Sequence, residues 1–124
     1  MEIAIRQQLI ILARKRETWS YSTLNDQMNL KFDFKKPADR KKIGDLIGEV
    51  SLIEFEKGRP LLSALILHQD GKEQGDGFYK LCESKFGIHW ETLKNDRAWE
   101  KGIILECFDF WADDGNFWKF KDDY

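Results

Sequence analysis

The chain contains 124 residues and has a formal net charge of −2 at pH 7. Apolar residues make up 42% of it and charged residues 34%, so the chain can bury a core under a heavily charged surface. This balance excludes a disordered chain and a collagen-like fibre, and the length predicts one domain.

Apolar residues at helical spacing predict three helices in the first half of the chain. The first covers about residues 2–17 and the second about residues 22–29, where the hydroxyl of Ser22 can accept from free backbone N–H groups. Pro37 suits the first turn of the third helix, which extends to about Glu54. The clearest amphipathic pattern of the chain lies in this third helix, at Ile43, Leu46, Ile47 and Val50.

The second half predicts a β-hairpin and then a last helix. Residues 61–68 are typical of a buried strand, and residues 77–81 of a return strand, although a helix start would also fit there. The polar, glycine-containing segment 69–77 would form the tip of the hairpin. The last helix begins near Glu91 and ends before residue 113.

This order of elements predicts an α+β, winged-helix-like fold. Three helices precede a hairpin that would form the wing, and a C-terminal helix follows. The first two helices would pack against the third and present it outward. We expect residues 1–112 to form this domain and residues 113–124 to form an acidic aromatic C-terminal tail.

Two segments resemble a group of small uncharacterised prokaryotic proteins. Residues 54–64 contain GRPLLSA and residues 75–79 contain GDGFY, and in that group a Gly-Arg-Pro-x-Leu-Ser segment precedes a Gly-Phe-aromatic segment. The resemblance covers most of residues 20–111. It implies a shared winged-helix-like fold and a bacterial setting near phage-defence or mobile-element genes, and it transfers no catalytic residues.

A basic cluster is the first candidate site, and it belongs to the more basic half of the chain. Residues 1–62 contain 12 Lys or Arg against 9 Asp or Glu, whereas residues 63–124 contain 8 against 13. In a winged helix such a cluster would contact DNA phosphates at the third helix and at the wing. The alternative is a solvated surface, because Asp45 and Glu49 share the exposed arc and would repel phosphate. The candidate nucleic-acid-binding residues are Lys35, Lys36, Arg40, Lys41, Lys42 and Lys72.

Two further features of this region leave alternatives open. Gly44 and Gly48 lie one turn apart in the third helix, where each costs roughly 0.5–1 kcal/mol. Two explanations for these glycines are open. The third helix packs closely against the strand or the first helix, or the backbone of a partner approaches it closely. Arg59 would either belong to the wing or pair with Glu54 or Glu56.

The C-terminal segment is the second candidate site. Seven of the 17 aromatic residues lie in the last 17 positions, and four aspartates lie between residues 113 and 123. Aromatic side chains anchor protein interfaces, so this segment would dock a larger protein partner. The alternative is a tail that folds back over the core. The candidate partner-binding residues are Trp111, Phe117, Trp118 and Phe120.

Catalytic and metal sites have little support in the sequence. His68 and His89 are far apart, and neither has a second ligand at helical spacing. Cys82 and Cys107 are too few for a disulfide scaffold or a four-thiolate zinc site. We therefore predict no catalytic residue, metal, cofactor or small-molecule substrate.

The apolar and basic residues also predict a cytoplasmic protein without a membrane partner. The longest uncharged apolar stretch, residues 60–67, is far shorter than the roughly 20 residues of a membrane span. The positive charges at residues 14–16 follow an apolar stretch, whereas those of a signal peptide precede it.

The first hypothesis for the function is a non-enzymatic DNA-binding module, accessory to a bacterial defence or mobile-element system. The alternative is an immunity-type or accessory protein-binding module.

Overall fold

The computed structural model describes residues 2–67 and 76–124, and these residues are mostly helical. A 3₁₀ turn at Leu62–Leu65 leads into strand β2 (Ile66–Leu67), which pairs in parallel with β1 (Trp19–Ser20). No helix in the described part of the chain is both long and apolar enough to cross a membrane. The helices are α1 (Glu2–Lys15), α2 (Tyr21–Gln27), α3 (Pro37–Glu56), α4 (Asp76–Phe86), α5 (Trp90–Lys94), α6 (Arg97–Ala112) and α7 (Asp114–Phe120).

The winged-helix prediction is wrong, because the predicted return strand is helical. Residues 77–81 belong to α4, and four of the eight residues of the other predicted strand form the 3₁₀ turn, so the class is nearly all-α. In α4 the buried side chains are those of Phe78, Tyr79 and Cys82. These positions share one face of a helix, whereas a strand would place the first two on opposite faces. The predicted hairpin tip lies almost entirely outside the described residues.

Each end of the first three helices lies within two residues of its predicted position. The cap of α2 differs, because the hydroxyl of Ser20, and not that of Ser22, accepts from the backbone N–H of Thr23 at 3.1 Å. The single last helix is in fact two, α5 and α6. Asp96 separates them, because its side chain caps α6 by accepting from the backbone N–H of Trp99.

The core lies where α1 packs against α3, α6 and the 3₁₀ turn. Each of these elements places fully buried side chains there, and burying one such leucine or isoleucine contributes roughly 1.5–3 kcal/mol. Helix α7 packs back onto α6, so the predicted tail is a folded part of the molecule. Core side chains include Ile5, Leu9, Leu12, Ile47, Val50, Leu62, Leu65, Cys107 and Trp111.

A buried charge cluster, formed by Arg6, Glu54 and Arg59, joins the start of α1 to the end of α3. The Glu54 carboxylate is fully buried and accepts from Nε of Arg6 at 2.6 Å and from Nε of Arg59 at 2.5 Å. Of the alternatives that the sequence left open for Arg59, the structure shows the pairing with Glu54. Because two cations share one buried carboxylate, the remaining guanidinium N–H groups need further acceptors.

The C-terminal residues supply those acceptors. The two Nη atoms of Arg6 donate to the backbone carbonyls of Lys121 at 2.7 Å and Phe120 at 2.9 Å. Arg59 donates to the carbonyl of Asp123 at 2.6 Å and to its carboxylate at 2.9 Å. Hydrogen bonds from Lys57 and Arg59 hold the pKa of Asp123 below its ordinary value. The charge cluster therefore fixes the C-terminus onto α1 and α3.

Replacing Glu54 by Gln should lower the free energy of unfolding by about 3–5 kcal/mol, because two buried guanidinium groups then lose their carboxylate. Urea denaturation followed by circular dichroism measures this loss. The control is Asp109→Asn, which breaks the exposed Arg16–Asp109 pair and should cost less than about 1 kcal/mol. Equal losses in the two variants would contradict a structural role for the charge cluster.

Replacing Asp123 by Asn should remove part of the pH dependence of stability. The pKa of Asp123 is lowered in the folded state, so its ion pairs stabilise the fold above the unfolded pKa of about 3.9. This contribution is lost as the pH falls through the folded pKa. Urea denaturation should show the wild type more stable than Asp123→Asn at neutral pH and the two converging in acid. A constant difference at every pH would overturn this assignment.

Candidate binding groove along α3

A groove with a volume of about 860 Å³ lies along the exposed side of α3. Residues of α3 from Arg40 to Leu52 border it, a length of helix of roughly 18 Å. The opposite border comes from the start of α2, from Phe34 and from the first turns of α4. The groove therefore combines segments that are far apart in the sequence.

The floor of the groove is apolar. Ile43 and Ile47 of α3 and Phe78 of α4 are buried beneath it, and Leu81 is half-buried at its border. Leu52, at one end, is 44% exposed. A concave apolar surface of this kind gains free energy when apolar side chains of a ligand displace water from it.

Gly44 and Gly48 line this groove, and they are not needed for packing within the described residues. Apart from the adjacent residues and the neighbouring backbone of α3 itself, no atom of those residues lies within 4 Å of the position that a Cβ would occupy at either glycine. The expectation of close packing against the strand or the first helix is therefore not met in the described part of the chain. Of the two explanations that the sequence left open, close approach of a partner agrees with this geometry.

The two ends of the groove differ in charge. At the α3 N-terminal end lie Arg40 and Lys41, and Nζ of Lys41 donates to Asp45 at 2.8 Å, which raises the pKa of that lysine. At the other end, a hydrogen bond with the neighbouring Glu2 carboxyl raises the pKa of Glu49, and repulsion between the two charges adds to the shift. One end is thus basic and the other acidic.

The candidate nucleic-acid-binding residues are exposed at the start of α3, except Lys72, which lies outside the described residues. Arg40 and Lys41 also line the groove, and Nζ of Lys42 lies 4.0 Å from Asp39. Among the described carboxylates, none lies within 4.0 Å of the cationic groups of Lys35, Lys36 or Arg40. Five of the six residues are therefore exposed within the eight positions from Lys35 to Lys42.

The candidate partner-binding residues belong mostly to the folded interior. Trp111 is fully buried, whereas Phe117 and Phe120 are half-buried. The guanidinium of Arg14 lies 4.2 Å from the ring centre of Phe117, and that of Arg59 lies 5.5 Å from the ring centre of Phe120. Only Trp118 of the four is exposed, at 68%. The aromatic tail thus folds back over the core, which is the alternative that the sequence left open.

Possible metal ligands and the two cysteine thiols are the groups of the described residues that bear on catalysis. No group of three or more His, Cys, Asp or Glu side chains among them could hold a metal ion. Burial raises the pKa of the Cys82 thiol to about 12 and raises that of Cys107 further. The Cys107 thiol donates to the carbonyl of Leu61 at 3.2 Å. Thiols held protonated in this way are poor nucleophiles.

Sequence reasoning missed the far side of the groove. Tyr21, Phe34 and Phe78 reach it from three separate segments, and nothing in the local pattern of each predicts that they meet. The glycine pair is the one sequence signal that points to this surface. Comparison with protein-family models, curated proteins and solved structures gives no match to the chain.

Proposed function

We propose that this chain is a non-enzymatic, cytoplasmic module that binds a segment of another protein in the groove along α3. The observation that carries the proposal is the apolar floor beside two helix glycines whose Cβ positions are open with respect to the described residues. An apolar ligand gains roughly 25 cal/mol for each Å² of apolar surface that it buries. The contact surface is thus the groove, and the aromatic tail belongs to the scaffold behind it.

The energetic cost of the glycines supports this role. Each glycine in a helix interior destabilises α3 by roughly 0.5–1 kcal/mol relative to alanine. No contact with the described residues offsets that cost at Gly44 or Gly48. A ligand backbone that approaches α3 closely at these positions would use the space that a side chain would otherwise fill.

The cysteines support the cytoplasmic and non-enzymatic parts of the proposal. Cys82 and Cys107 are both free and buried. Free thiols are typical of proteins in a reducing compartment. Their raised pKa values keep them protonated at neutral pH, so they fit a role in packing better than one in chemistry.

Replacing Gly48 by Leu should abolish ligand binding and yet stabilise the fold. The leucine side chain fills the groove, and leucine is a better helix former than glycine by roughly 0.5–1 kcal/mol. The probes are synthetic peptides obtained by selecting a displayed library of about 14-residue peptides on the wild-type protein. Fluorescence anisotropy measures their affinity, and urea denaturation measures the stability.

The matched control is Gly102→Leu. Gly102 is an exposed glycine inside α6, outside the groove, and no atom of the described residues lies within 4 Å of its Cβ position. This variant should gain similar stability and keep full affinity for the peptides. The proposal fails if the selected peptides bind Gly48→Leu as tightly as the wild type, or if selection yields no binding peptide.

Nucleic-acid binding at the start of α3 is the second candidate function. It is favoured by Lys35, Lys36 and Arg40, which are exposed and have no carboxylate of the described residues within 4.0 Å. The N-terminal end of a long helix also attracts anions. Asp45 and Glu49 lie along the same exposed side of α3 and would repel phosphate, so we rank this function below protein binding.

If the second function is correct, labelled double-stranded DNA should bind at about 50 mM salt and lose most of its affinity by about 200 mM. Fluorescence anisotropy measures both values. The double variant Lys36→Glu and Arg40→Glu should abolish binding, whereas Lys15→Glu with Lys101→Glu, of equal charge change elsewhere, should reduce it only slightly. No binding at the lowest salt would exclude this function.

A further inference from the structure

We infer that the segment bound in the groove is an amphipathic α-helix with oppositely charged ends. Its acidic end lies beside Arg40 and Lys41, and its basic end lies beside Glu49. This inference rests on the proposed function, because it names the kind of protein segment that the groove takes. It is carried by the walls, the dimensions and the charges of the groove.

The walls of the groove favour a helical ligand over an extended one. The described border residues belong mainly to α2, α3 and α4, and they offer no strand edge with free backbone groups. An extended peptide would therefore leave N–H and C=O groups unpaired against the apolar floor, at about 1–3 kcal/mol for each buried group. A helix pairs its own backbone groups and presents only side chains.

The dimensions of the groove suit a helix of about three turns. Its length of roughly 18 Å corresponds to about 12 helical residues. A helix of that length and of about 10 Å diameter occupies roughly 1,400 Å³. The groove volume of about 860 Å³ holds a little more than half of such a cylinder. One face of the ligand would thus be buried and the other would remain in water, which is the arrangement of an amphipathic helix.

The glycine pair agrees with this mode of binding. Gly44 and Gly48 lie one helical turn apart and both line the groove. Neither glycine has a side chain, and the described residues leave both Cβ positions open. The backbone of a second helix can approach α3 at these positions more closely than it could across larger side chains.

The charges of the groove determine the polarity of the ligand. Arg40 and Glu49 are roughly 13 Å apart along the helix axis, which exceeds the Debye length of about 8 Å at physiological ionic strength. Each end therefore acts mainly on the ligand charges nearest to it. Lys41 is paired with Asp45, which also lines the groove, so Arg40 provides the positive charge at one end, and Glu2 lies beside Glu49 at the other. A ligand with one acidic and one basic end matches both.

Two labelled peptides of about 14 residues test this inference. Both carry the same helical stripe of leucines, but the first has glutamates at one end and lysines at the other, whereas the second has lysines at both ends. The wild type should bind the first peptide at least about tenfold more tightly. The double variant Arg40→Glu and Lys41→Glu should reverse this preference, which a difference in peptide helicity alone would not do. Lys101→Glu, on α6, should leave the preference unchanged.

The remaining outcomes separate this inference from the proposed function. Equal binding of both peptides, blocked by Gly48→Leu, would overturn the charge assignment and leave the groove as the binding site. If neither peptide binds, the inference of a helical ligand is wrong. The displayed-library selection then decides separately whether the groove binds protein. Light scattering that shows the wild type as a dimer and Gly48→Leu as a monomer would identify the ligand as a second copy of this chain and overturn the inference.

Discussion

The buried carboxylate of Glu54 is the group on which the arrangement of the other elements depends. Moving one charged side chain out of water costs several kcal/mol, and here three of them are buried together. That cost is offset because Arg6 and Arg59 donate to the carboxylate and direct their remaining N–H groups to the C-terminal carbonyls. The start of α1, the end of α3 and the last residues of the chain therefore occupy fixed positions.

This constraint separates the scaffold from the surface available for binding. The C-terminal aromatics contribute to the scaffold, since Trp111 is buried and Arg14 and Arg59 lie over the rings of Phe117 and Phe120. Among the described residues, the groove along α3 between Arg40 and Leu52 is open. The main wall of the groove is a 20-residue helix that the charge cluster anchors at its C-terminal end.

Local sequence patterns were sufficient for the first three helices and insufficient for the chain after Pro60, where they did not predict α4, the division between α5 and α6, or α7. The stripe from Ile43 to Val50 has only one regular structure that buries it, so α3 follows from spacing alone. The short apolar run after Pro60 fits a strand, a helix or a 3₁₀ turn equally well. Burial of Phe78 and Tyr79 on one side of the core decided the helix at α4, and that contact involves residues remote in the sequence.

The sequence by itself determined the first three helices, showed the unusual glycines of α3, and offered the pairing of Arg59 with a nearby glutamate as one of two alternatives. Each of these depends on residues within about five positions of one another, where spacing specifies contact. Only the tertiary structure decided that Arg6 meets Glu54, 48 positions away, and that the aromatic tail folds back. It also decided that α2, α3 and α4 border one groove, because such contacts follow from how helices pack and no local period encodes them.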